Sequence, residues 1–189
     1  MINKLKILLI LFFVSALCLN AQTGEEQFDK MMDYIKPNKN HEVLHEFAGK
    51  WKQNILRISE GGEIPGSGTT ENSIIFGGRF LEIKFTQSYD NFIVSGIIYL
   101  GYDNLSKKFF LFGIDELGTS SLRAEGDYDK KTKTLELRGT LADPVILKNR
   151  ELIIRMTKDR ENKFTFEEFV LENGKERKVL LQQNILIGE

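Results

Sequence analysis

Asn72-Ser-Ile-Ile-Phe-Gly-Gly-Arg-Phe-Leu-Glu-Ile-Lys-Phe85 sets the pattern of the whole chain: an apolar run, two glycines, and a second apolar run. The same punctuation recurs in Tyr99-Leu-Gly-Tyr-Asp-Asn104, Gly113-Ile-Asp-Glu-Leu-Gly-Thr119, Glu125-Gly-Asp-Tyr-Asp129 and Lys133-Thr-Leu-Glu-Leu-Arg-Gly-Thr140. Each piece is a short strand-like segment closed by Gly, Asn or Asp, at a spacing of one strand plus one turn. Such a rhythm predicts an antiparallel meander, and a long meander must close on itself to remove its unpaired edges. The expected fold is all-β: a single up-and-down antiparallel barrel of about ten strands. A barrel of this size can hold one small ligand.

Working outward, strands are expected at about 50–58, 69–76, 79–88, 92–102, 107–115, 119–128, 133–141, 147–157, 163–171 and 177–187. Gly77-Gly78 is expected as a two-residue hairpin turn, because glycine accepts the positive φ angles such turns require. Asp103-Asn104-Leu105-Ser106, Asp129-Lys130-Lys131 and Glu172-Asn173-Gly174-Lys175 carry turn chemistry of the same sort. Before the strands, Phe28, Met31, Met32 and Ile35 recur at helical spacing in a polar lead-in, residues 22–39, that ends near Pro37. A second short helix is expected from about His41 to Ala48, capped by Asn40 and ended by Gly49, covering one end of the barrel.

The first 21 residues carry a different signal. Lys4 and Lys6 precede an apolar run from Ile7 to Leu19, broken only by Ser15, and Leu19-Asn20-Ala21 supplies a small-residue cleavage site. This is the arrangement of a secretory signal peptide, with the cut expected after Ala21. The run falls short of the ~20 residues of a spanning helix, so no stable membrane span is expected after cleavage. Cys18 raises lipidation as an alternative, but Leu17 stands where a small residue is needed. Cleavage after Ala21 would leave a chain with no cysteine, hence no disulfide and no thiol nucleophile. The expected location is secreted or periplasmic, and the expected organisation is one barrel domain over 40–189. The 26 basic and 27 acidic residues are interspersed, which removes the electrostatic motive for nucleic-acid binding.

Gly77-Gly-Arg-Phe-Leu81, Leu100-Gly-Tyr-Asp-Asn104, Ile114-Asp-Glu-Leu-Gly-Thr119, Glu125-Gly-Asp-Tyr-Asp129 and the helix leading into Ala48-Gly-Lys-Trp51 together resemble the bacterial DUF1579 family. The resemblance covers about residues 40 to 187. It implies a lipocalin-like, calycin-type barrel and no particular function. Gly49-Lys50-Trp51 is also similar to the lipocalin Gly-x-Trp signature, whose tryptophan closes the barrel floor beneath an arginine. Nitrobindin-like barrels hold haem through a barrel histidine, but here no histidine follows His45. No cofactor is expected.

Strand alternation selects the candidate residues. Arg79 opens the third strand at the same end as Trp51, so the two are expected to close the floor as a cation–aromatic pair. Arg150 shares a face with Leu152, Ile154 and Met156, and Asp115 with Phe109, Leu111 and Gly113, both at the opposite end. An inward arginine needs an anionic partner. Either Asp115 satisfies Arg150 internally, or a ligand carboxylate or phosphate does. Tyr99, Glu168 and Gln183 are further polar groups that the expected register turns inward; a one-residue slip would turn each outward.

The leading expectation is an exported, non-catalytic barrel that binds a small hydrophobic or amphipathic ligand inside. An alternative is an envelope structural or interaction protein whose barrel is filled by its own side chains. A third is a zinc hydrolase, because His41-Glu42-Val43-Leu44-His45 reads H-E-x-x-H. It needs a third ligand near both histidines and a substrate cleft.

Overall fold

The computed structural model describes residues 24–143 and 146–188, so the expected signal peptide and its cleavage site lie outside the described residues. The chain divides into two compact units, 1–36 and 37–189. In the first, residues 24–35 form helix α1, with a Glu26–Lys30 ion pair on its surface and with Phe28 and Met31 exposed. Among the described residues no helix is long and apolar enough to cross a membrane.

The second unit contains a one-turn helix α2 (Glu42–His45) and ten strands: β1 (Gly49–Ser59), β2 (Gly62–Ile75), β3 (Phe80–Tyr89), β4 (Phe92–Asp103), β5 (Lys108–Asp115), β6 (Leu122–Asp129), β7 (Thr134–Asp143), β8 (Lys148–Arg160), β9 (Lys163–Glu172) and β10 (Lys175–Gly188). Each strand pairs antiparallel with the next, and β1 pairs with β10 to close the barrel. Closure leaves no open edge. Inward positions alternate: Trp51, Gln53, Ile55 and Arg57 on β1, for example, or Phe164, Phe166 and Glu168 on β9.

β2 extends seven residues further towards its N-terminus than the sequence pattern suggests, through Gly-Glu-Ile-Pro-Gly-Ser-Gly. Pro65 fits because this stretch pairs with β1 alone: the β3 ladder begins only at Gly66. A proline lacks the N–H that a second neighbour would need. The Gly77-Gly78 turn is also longer than a two-residue hairpin. Phe76, Gly77 and Gly78 all have positive φ (49°, 65° and 89°), and Arg79 N–H donates to the Ile75 carbonyl to close the loop. Asn173-Gly174, by contrast, makes a two-residue turn with both φ positive, between the paired Glu172 and Lys175.

The end where β1, β3, β5, β7 and β9 begin is closed. Val43, Leu44 and Phe47 of α2 and its continuation pack onto Trp51, which is 1% exposed. Phe164 meets Phe47 and Trp51 edge-on, with ring centroids 5.4 and 4.7 Å apart. Above this floor Leu81, Leu100, Phe109, Leu135 and Met156 fill the barrel. Carbonyls just past the end of this short helix are met by side chains. Phe47 O accepts from Trp51 Nε1 (3.1 Å) and Asn72 Nδ2 (2.7 Å), and Glu46 O accepts from Lys158 Nζ (2.5 Å). Asn40 does not cap α2 through its side chain. Residue His41 occupies the cap position in helical geometry, and the Asn38 side chain accepts from Asn40 N–H instead.

Candidate functional site

The opposite end of the barrel is hollow. A cavity of about 100 Å³ lies inside the wall, lined by apolar side chains such as Ile83, Phe85, Val94 and Ile98. It opens into a mouth of about 760 Å³ bounded by Leu117 to Ser120 and Leu122, by Leu141 to Asp143, and by Leu147 to Asn149. Arg57, Gly113, Ile114, Asp115, Leu117, Leu122 and Glu168 line both spaces and so mark where they meet. Glycines at inward positions let neighbouring side chains lie close against the wall. On β4 Gly96 lets the Phe85 ring lie flat across the strand; a Cβ there would meet Phe85 Cζ at 2.4 Å. On β2 Gly68 does the same for an amide, since a Cβ would meet Gln53 Oε1 at 2.9 Å.

One wall of the cavity is polar. Arg57 Nε donates to Tyr89 Oη (3.2 Å), Tyr89 donates to Gln87 Oε1 (3.0 Å), and Gln87 Nε2 donates to Gln53 Oε1 (3.4 Å). Gln53 Nε2 then donates to Asn184 Oδ1 (2.9 Å) and to Gln182 Oε1 (3.4 Å). All five of the uncharged members are buried. The Arg57 guanidinium also lies over the Tyr89 ring, 5.6 Å from its centroid. This chain runs along the inner face from the mouth nearly to the floor, and it satisfies buried amides that would otherwise be costly.

Glu168 stands apart from it. Its side chain is half-buried at the junction of cavity and mouth, and desolvation pushes its pKa up against the pull of Arg57, with Asp115 adding to the rise. Among the described residues, no hydrogen bond or ion pair reaches its carboxyl oxygens. Its cross-strand neighbours, Ile154 on β8 and Leu180 on β10, are apolar.

Of the residues singled out in the sequence, Asp115 lines both cavity and mouth, and its Oδ1 accepts from Leu117 N–H (2.8 Å). Arg150 sits at this end but does not meet Asp115. It pairs with Asp143 on the neighbouring strand, where Leu141 is its cross-strand partner, and with Glu172 at 3.2 Å. Tyr99 and Gln183 face outward, a correction of one residue in each strand. Tyr99 Oη donates to Glu82 on the outer face (3.0 Å), and the inward neighbours of Gln183 are Gln182 and Asn184. Trp51 is buried at the floor, and the cation above it is Lys158 at 4.7 Å, not Arg79. Arg79 turns back on its own loop, donating from Nη1 to Phe76 O (3.0 Å). Burial lowers the Lys158 pKa, consistent with an ammonium held against an indole and a carbonyl.

The H-E-x-x-H segment is built into the closed end. His41 Nδ1 accepts from Asn38 N–H (3.0 Å), and its ring meets Tyr102 edge-on; burial, then Arg79, lowers its pKa. His45 is exposed. Among the described residues no three His, Cys, Asp or Glu side chains converge to hold a metal.

The polar wall was missed in the sequence, although its signal was present. Gln53 and Arg57 share the inward face of β1 with Trp51 and Ile55, and Gln182 and Asn184 alternate in the same way on β10. Several polar side chains in register on apolar faces are the mark of such a network.

The S-type phycobiliprotein lyase CPES from Guillardia theta is similar in structure, with a TM-score of 0.55 over 80% of this chain and 94% of that one, at 8% sequence identity. At that identity the likeness is one of fold, a lipocalin-like barrel. No curated protein matches the chain. The family model described as a protein of unknown function, DUF1579, matches residues 36–183, and the chain belongs to that family.

Proposed function

We propose that this is an exported, non-catalytic barrel protein that binds a small, mainly apolar ligand at its open end. The observation that carries the reading is the asymmetry of the interior: a solid lower half, and an upper half with an apolar cavity continuous with a wide mouth. Apolar ligand area removed from water contributes ~25 cal/mol per Å², and a few fixed polar groups orient what enters. Arg57, Asp115 and Glu168 stand where such groups are needed. The basic-then-apolar leader ending at Ala21 supports export.

The enclosed cavity alone is small, below the ~300 Å³ of an ordinary ligand pocket, and that favours a second reading in which the barrel is a filled structural module. Native mass spectrometry of protein purified from its own host separates the two. The binding reading expects a stoichiometric small molecule on the wild type and none on Gly113→Leu. The Gly113 Cβ would face Ile98 at 3.3 Å, so the new side chain grows into the cavity. Unliganded protein that also takes up no apolar probe would favour the filled module. The mass of the mature chain tests cleavage after Ala21 in the same spectrum.

A further inference from the structure

Among the described residues, no hydrogen bond reaches the Glu168 carboxyl, and only the charge of Arg57 works against the cost of its burial. Every other polar side chain on the inner wall is spoken for: the amides and Tyr89 bond to one another, and Thr70 donates to Asn72 at 2.6 Å. Glu168 has no such partner among the described residues, although it lines both the cavity and the mouth. An ionised carboxylate in that setting calls for a donor, and a charged donor forms the stronger bond.

Three charged side chains stand where cavity and mouth meet: Arg57, Asp115 and Glu168. Two are acids and one is a base, and the base is already engaged through Nε and over the Tyr89 ring. Lys148 and Asp143 line only the outer mouth, and Asp143 is paired with Arg150. An anionic head group at the junction would face two carboxylates across a largely apolar space. A neutral head would leave two acids at the junction against the single base Arg57. A cation meets both acids at once.

Resting on the binding reading above, we propose that the ligand is a small organic amine: its protonated nitrogen sits between Glu168 and Asp115, and its apolar tail fills the cavity beneath Phe85 and Ile98. Isothermal titration calorimetry on the full chain with hexylamine, hexanol and hexanoate tests this, since the three share a tail and differ only in the head. The expected result is hexylamine binding about tenfold or more tighter than hexanol, the fold-change of one charge-assisted hydrogen bond, with hexanoate weakest. Glu168→Gln should bring hexylamine to within about twofold of hexanol, and Asp115→Asn should weaken it by a smaller factor. Circular dichroism establishes that each variant is folded. If Glu168→Gln does not fold, a loss of amine preference in Asp115→Asn carries the test.

Hexanoate binding tightest, with the preference lost in Arg57→Met, would overturn the amine assignment in favour of an anion. Equal binding of hexanol and hexylamine would overturn it too, while leaving the binding reading standing. No binding of any of the three to the wild type would bring down both.

Discussion

The two ends of this barrel are made by the same ten strands yet follow opposite rules. At the closed end every large side chain has a neighbour and the polar groups of the plug are met: Phe47 O by two donors, Glu46 O by Lys158, and Tyr128 Oη donating to Glu46 at 3.1 Å. At the open end a cavity remains, and among the described residues no hydrogen bond reaches the Glu168 carboxyl that lines it. Burial and the Glu46 charge push the Tyr128 pKa up to about 12, so the phenol stays neutral and remains a donor. Burial pushes Glu168 up as well, but there no partner benefits. The difference separates groups arranged for stability from groups arranged for something the chain does not itself contain.

Breaking the closed end should have the largest effect. Trp51→Ala removes an indole that is 1% exposed and touches Phe47, Phe164 and Lys158. Urea denaturation should register a loss of about 3–5 kcal/mol. Asn72→Ala should come next, at about 1–3 kcal/mol, because it strips Phe47 O of its shorter bond and leaves the buried Thr70 hydroxyl without its acceptor. A loss below a few tenths in either variant would mean that the plug contributes little.

The open end should respond in the other direction. Glu168→Gln is expected to stabilise the unliganded protein by about 1 kcal/mol near neutral pH. The folded-state pKa of Glu168 is raised, so the folded protein holds this proton more tightly than the unfolded chain does. The penalty it imposes is absent below the unfolded carboxylate range, grows as pH rises towards the folded pKa, and is full above it. The gain in thermal midpoint should therefore be present at pH 8 and fade towards pH 4. A pH-independent gain would point to packing rather than to charge.

Much of this architecture was legible because meanders repeat. A Gly, Asn or Asp at nearly every turn fixed the number of strands, and alternation placed Trp51, Asp115 and Glu168 on the inner face. Parity failed where both faces look alike. Tyr99 lies between Ile98 and Leu100, so a tyrosine there suits either side; Gln183 lies between two other amides, Gln182 and Asn184, and nothing local says which of the three turns out. Ion pairing was less legible still. Arg150 has several acids within reach of any register, and only the β7–β8 ladder selects Asp143 over Asp115. The same holds at the floor, where Lys158 of β8 meets Trp51 of β1, a contact between distant strands that no short window encodes.

The polar wall has a direction. Arg57 can only donate, so Tyr89 accepts from it and must send its own hydrogen on to Gln87; each amide then follows suit down to Asn184. A guanidinium at the rim thereby sets which way a buried amide points one layer above the floor. The wall is a line of dipoles with a single sense, locked at one end, and whatever disturbs Arg57 from the mouth is felt by side chains that no entering molecule touches.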